Sequence, residues 1–252
     1  MAEPFSPLVR DQRAALLGVL AHVEGEGWGL PTVCVPWTIK DVVAHLVEGE
    51  LQSGRLYRGE ISERDTDTHE GVGRWSRVDG ETVRYSLWHH GEATQRVIDS
   101  RSDDSWGREV TDQGRAIELR GALRKQFFEL TVHSHDVTEA LGLASNWDGR
   151  ALPLAEYCIE RAPLALATVK GEGAVELEVE GLGVRTLHPS ADGWSLKPEP
   201  AQSPAATWHT DPETLVLATT GRLDVQTAAA RTKVEGDAGL IGAILEAWQL
   251  AR

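Results

Sequence analysis

Apolar residues along this chain fall into two regimes. Up to about position 170 they recur every three or four residues, as on one side of a helix; beyond it they alternate or form short runs. Ser6-Pro7 reads as an N-cap followed by proline at the first helical position. A helix to about Glu24 follows, with Leu16, Leu17, Leu20 and Val23 on one side, and then a Gly-, Trp- and Pro-rich loop from Gly25 to Trp37. Thr38 and Asp41 form a T-x-x-D capping box, and Trp37 and Val42 have the spacing of a hydrophobic staple. Ile39, Val42, Val43 and Leu46 carry the stripe of this second helix, which runs to about Tyr57. Residues 59–78 are polar and read as loop, and Asp79 caps a third helix ending near Asp99. Arg108–Val110 and Ala116–Leu119 flank Asp112-Gln113-Gly114 as a short hairpin. The longest helix spans about Gly121 to Leu141, with Gly142 suited to its C-terminal cap. Ala151 to Val169 is helical, interrupted by Pro163.

Past Lys170, Ala174–Glu180, Val184–His188, Trp194–Lys197 and Ala206–His209 read as strands. Asp211–Thr219, Val225–Arg231 and Ala238–Leu250 read as helices, with Thr232–Gly236 as a last short strand. The expected class is therefore α+β: a helical domain over residues 1–169 and a smaller mixed domain over residues 170–252.

Charge narrows the partners. With 25 basic against 39 acidic residues the formal charge is −14, which repels phosphate backbones and anionic membranes. Nucleic acid and membrane are not expected partners; a small-molecule substrate is. No apolar stretch is long enough to span a bilayer, and Met1–Ser6 lacks the pattern of a signal peptide, so a cytoplasmic location is expected. Two cysteines, Cys34 and Cys158, make no disulfide scaffold and are expected as buried thiols. Cys34 stands close in sequence to Trp37 and the His45 helix. Nine tryptophans suggest indole-rich packing or a pocket with aromatic walls.

On a helical wheel of the longest helix, Leu123, Phe127, Leu130, Val137 and Leu141 form the apolar stripe. Glu129 and His133, four apart, stand one above the other on its flank, beside Asp136; His135 points away. His45 holds the equivalent flank of the second helix, with space beside it at Gly49. Packing the two stripes together could set one imidazole against a Glu/His pair, a common three-ligand set for catalytic zinc with a fourth position open. The same residues also suit a surface Glu–His pair and a boundary histidine. His89 and His90, being adjacent, point in different directions, and His22, His69, His188 and His209 lack partners at useful spacing.

The segment Trp37-Thr38-Ile39-Lys40-Asp41-Val42-Val43-Ala44-His45-Leu46 resembles the start of the second helix in mycothiol-dependent maleylpyruvate isomerases. Glu129-Leu130-Thr131-Val132-His133-Ser134-His135-Asp136 resembles that family's E-x-x-x-H-x-x-D motif. The resemblance implies a DinB-like four-helix bundle followed by a smaller sterol-carrier-like α+β domain, to which Thr220-Gly221-Arg222-Leu223 and Val234-Glu235-Gly236-Asp237 correspond. It implies His45, Glu129 and His133 as ligands of a divalent metal, most simply Zn2+, although the same donors suit Fe, Ni, Co or Mn. Asp136 would orient a ligand or a backbone group, the alternative being a solvated helix charge. Arg222 would reach an anionic substrate, the alternative being a structural ion pair.

The implied cofactor is mycothiol or a similar small thiol, and the implied activity an isomerase or thiol S-transferase acting on a small electrophile. Cys34 and Cys158 are then not needed as nucleophiles. Two rivals share these residues. A metal-dependent hydrolase would hold water at the open position, though Glu129 as a ligand would not be free to act as base. A non-enzymatic carrier would bind an apolar molecule in the second domain.

Overall fold

The computed structural model describes residues 3–64, 68–112, 114–191, 193–248 and 250. Contacts divide the chain into two compact units, Met1–Asn146 and Trp147–Arg252. The break falls one helix earlier than the pattern near Lys170 suggested. The helix over Ala151–Ala165 packs within the second unit, so the change from helix to strand does not coincide with the change of core.

In the first unit, α1 (Phe5–Leu20), α2 (Ile39–Arg58), α4 (Gly80–Asp99) and α5 (Leu119–Ala140) pack as a bundle. A short helix α3 (Thr68–Arg74) lies against α2, and a two-stranded hairpin, β1 (Glu109–Asp112) and β2 (Arg115–Glu118), precedes α5. Gln113, in the expected turn, lies outside the described residues. The core is the set of facing stripes: Leu16 and Leu20, Val42, Val43 and Leu46, Leu87, Leu123, Phe127, Leu130 and Val137 are all buried.

Helix α2 begins where the capping box places it. The Thr38 amide donates to Asp41 Oδ2 at 3.0 Å, and the Asp41 amide donates to Thr38 Oγ1 at 3.4 Å. It ends at Gly59, whose φ of 79° suits a glycine C-cap. Its last carbonyls are met by arginines: Arg108 donates to Leu56 O at 2.5 Å and Arg101 to Tyr57 O.

Three local expectations need correction. Ser6 does not cap α1; the helix starts at Phe5, and the buried Ser6 hydroxyl donates across the bundle to Asp99 Oδ1 at 2.9 Å. The stretch 59–78 is not all loop, because α3 forms there. It is held by tertiary contact: Arg74 and the Trp75 indole both donate to Glu48 of α2 at 2.8 Å. Cys34 is half-buried, not buried like Cys158.

Several polar residues lie deep inside the bundle. Arg13 Nε pairs with Glu50 Oε1 at 2.9 Å, Gln126 Nε2 donates to Glu50 Oε2 at 2.9 Å, and Tyr57 donates to Gln126 Oε1 at 2.8 Å. Gly91 leaves the room Arg13 needs, since a Cβ there would sit 2.2 Å from Arg13 Cδ.

The second unit is α+β, as expected. Its five-stranded sheet has the order β5 (Gly193–Lys197), β4 (Gly183–Ser190), β3 (Val175–Val179), β6 (Ala206–Thr210), β7 (Lys233–Gly236). The pair β3–β6 is parallel and the others antiparallel. Helices α6 (Ala151–Ala165), α7 (Pro212–Thr219), α8 (Val225–Arg231) and α9 (Ala238–Ala247) complete it. Indoles serve packing in both units: Trp28, Trp106, Trp194, Trp208 and Trp248 are buried. Among the described residues no helix is long and apolar enough to cross a membrane.

Candidate metal centre

Helices α2 and α5 pack against each other, and this brings together side chains 84 and 88 positions apart. His45 Nε2 lies 3.5 Å from Glu129 Oε2, and His133 Nε2 lies 3.4 Å from the same oxygen. One donor atom from each of the three falls within 4.8 Å of the others. Two ligands at zinc bond lengths of about 2.05 Å and a tetrahedral angle stand about 3.3 Å apart. The two measured separations are close to that value, so an ion would fit among these donors with little movement. His133 is almost fully buried, while His45 and Glu129 keep 15% and 24% side-chain exposure; the cluster is therefore open on the His45–Glu129 side.

Behind it, His133 Nδ1 meets the fully buried Asp136 carboxylate at 2.8 Å. With Asp136 accepting the Nδ1–H, Nε2 is the nitrogen that faces Glu129, the arrangement that orients metal-binding imidazoles. Cys34 Sγ donates to the same Asp136 oxygen at 3.2 Å and lies 3.9 Å from His133 Nδ1. Cys34, His133 and Asp136 thus form a second close group. There the 2.8 Å contact is a hydrogen-bond distance, shorter than the spacing of two ligands on one ion.

Electrostatics follow the same geometry. Burial pushes the Glu129 carboxyl up, but the hydrogen bonds and charges of His133 and His45 outweigh it and hold the group well below the ordinary carboxylate range. Burial lowers His45 against the opposing pull of Glu129. Burial also works to lower His133, yet Asp136, Cys34 and Glu129 together raise it well above the usual imidazole value.

Three other singled-out residues have partners of their own. His135 faces Ser145 Oγ at 2.6 Å and Glu139 at 3.4 Å. Arg222 follows α7 in the second unit and donates to the Thr220 carbonyl at 2.6 Å. His209 has a cross-strand partner that spacing did not reveal, Glu178 at 2.9 Å. Sequence reasoning did not find the Cys34–Asp136 contact, because it joins a loop to a helix 102 positions on. It also left Trp37 as a staple, whereas its ring lies 5.2 Å from that of His45.

The family model of the mycothiol maleylpyruvate isomerase N-terminal domain matches residues 9–138, which hold all of this constellation. The chain belongs to that family. Two solved structures share the fold of this family member: the mycothiol-dependent maleylpyruvate isomerase and a histidine-to-alanine mutant of it. Each has a TM-score of 0.70, at 16% identity over 92% of both chains. Two uncharacterised proteins of Mycobacterium tuberculosis, from strains CDC 1551 and H37Rv, are 45% identical over 53 residues. That match takes in 20% of this chain and 29% of theirs.

Proposed function

We propose that this protein is a metal-dependent enzyme that uses a small thiol of the mycothiol type to isomerise, or to transfer the thiol onto, a small electrophilic substrate. The observation that carries the reading is the His45–Glu129–His133 cluster, with Glu129 spaced from both histidines as ligands of one tetrahedral ion are. The solved relatives are described as mycothiol-dependent, which favours a thiol as the small molecule that enters. A divalent ion held by these donors would deprotonate a thiol that reached its open position, and so supply a nucleophile at neutral pH.

The chain's own residues prepare that position. Asp136 orients the His133 ring and keeps its Nδ1 protonated. Glu129, drawn to both histidines, offers one anionic oxygen at the centre of the group. Trp37 walls the side next to His45. Glu129 is engaged by the histidines and Asp136 by His133 and Cys34, so neither carboxylate is free to act as base toward water, which disfavours hydrolysis. The test is metal content of the purified full chain beside His45→Ala and His133→Ala, with turnover assayed with and without added thiol. Metal in the wild type, its loss in both variants and thiol-dependent turnover are expected; equal metal in all three proteins would refute the assigned ligands.

A further inference from the structure

Among the described residues, one cation beside this cluster is left without a partner. Arg64 follows Glu63, which bridges to Thr111 of β1; the Arg64 amide donates to the Thr111 carbonyl at 3.4 Å and the Thr111 amide to Ser62 O at 2.8 Å. The hairpin thus fixes the backbone that carries Arg64. The guanidinium reaches over α2, where a Cβ on Gly49 would lie 3.9 Å from Arg64 Nη2. Gly49 is four residues beyond His45, one turn along the same helix face. The positive charge is close enough to act on both His45 and Tyr57.

Arg64 Nη1 is buried and has no hydrogen-bond partner among the described residues. No hydrogen bond or ion pair joins the guanidinium to a described residue, and the acids that flank Gly49 on α2 are engaged elsewhere. Glu48 is held by Arg74 and Trp75, and Glu50 by Arg13 and Gln126. A buried guanidinium nitrogen without an acceptor costs stability that an arriving anion would return. Guanidinium is also the group whose planar fork matches a carboxylate.

We propose that Arg64 is an anion-binding subsite of the reaction centre, which receives a carboxylate of the bound small molecule one helical turn from His45. This rests on the functional reading above and adds to it a specificity-determining residue, the side chain that would hold a carboxylate carried by the electrophile or by the thiol. Arg64 holds and orients that group and takes no part in bond changes.

The test uses the full chain loaded with Co2+, whose visible and near-ultraviolet spectrum reports a thiolate ligand. In one arm, ω-mercaptocarboxylates of two to five carbons are compared with their methyl esters. In the other, acetate, succinate and their amides are titrated calorimetrically into protein saturated with 2-mercaptoethanol. Wild type should prefer the free carboxylate by about tenfold or more in at least one arm, the size expected of a charge-assisted contact. Arg64→Gln should reduce that preference to within about twofold, Arg64→Lys should keep part of it, and both should bind 2-mercaptoethanol as wild type does. The arm that responds identifies whether thiol or electrophile carries the carboxylate. No carboxylate preference in either arm, or one that survives Arg64→Gln, overturns the proposal. If no thiol alters the cobalt spectrum, the thiol-dependent reading fails instead, and calorimetry with the carboxylates alone still decides Arg64.

Discussion

Asp136→Asn is the substitution that separates a support for the metal site from a charged residue that merely lies near it. Asp136 has no solvent exposure, and one of its oxygens takes both the His133 Nδ1–H at 2.8 Å and the Cys34 thiol at 3.2 Å. The amide keeps the size and removes the charge. If its NH2 faces His133, Nδ1 must accept, the ring proton moves to Nε2, and the lone pair needed for a metal is lost. If its oxygen faces His133, the tautomer survives but a neutral acceptor replaces an ionic one. Losses of such supporting groups weaken metal binding about 10–100-fold, or about 1.4–2.7 kcal/mol. The full burial of Asp136 and its direct contact with the ring argue for the upper half of that range. Competition for Zn2+ against a chromophoric chelator at fixed pH measures it, with near-ultraviolet circular dichroism as a check on folding. A folded Asp136→Asn protein with wild-type affinity, within about twofold, would refute the assignment of Asp136 as the support of His133.

Two further predictions concern stability. Glu50→Ala removes the partner of an Arg13 side chain that is 3% exposed, leaving a buried charge uncompensated. A loss of about 3–5 kcal/mol is expected in urea denaturation, and a loss under about 1 kcal/mol would show that the pair is not desolvated as described. Burial pushes the Cys158 thiol from its ordinary 9.0 up to about 12. The folded state therefore keeps its proton while the unfolded chain ionises, so this contribution is intact below pH 9 and is lost as pH rises toward 12. The stability difference between wild type and Cys158→Ala should shrink by about 1.4 kcal/mol between pH 8 and pH 10; an unchanged difference would count against a buried neutral thiol.

What could be read from the sequence was mostly what is decided locally. The capping box at Thr38 and Asp41, the Asp79 cap, the Gly142 end of α5 and the alternation of β3 depend on neighbours within a few residues, and each stands where its signal lies. The seven residues of α3 carry two glycines, and their helix is made by Glu48 reaching across from α2, so no local signal marks it. The candidate ligand set was visible as two half-sites, His45 on one stripe and Glu129 with His133 on another. That they meet was an inference from the expected packing of stripes and from family likeness, since the pattern gives a direction on each helix but no distance between helices.

The distance is set by residues that look like surface. Arg13, Glu50, Gln95 and Gln126 would ordinarily face water, and they are buried here hydrogen-bonded to one another. Glu50 lies five residues beyond His45 on α2, and Gln126 lies three before Glu129 on α5. The Gln126–Glu50 and Tyr57–Gln126 hydrogen bonds join these two helices just below the candidate metal centre. An apolar seam alone would allow α2 and α5 to slide or rotate, whereas directional bonds to buried polar atoms permit one register. The spacing of His45 from Glu129 therefore follows from a polar lock beneath the cluster as much as from the stripes that brought the helices together.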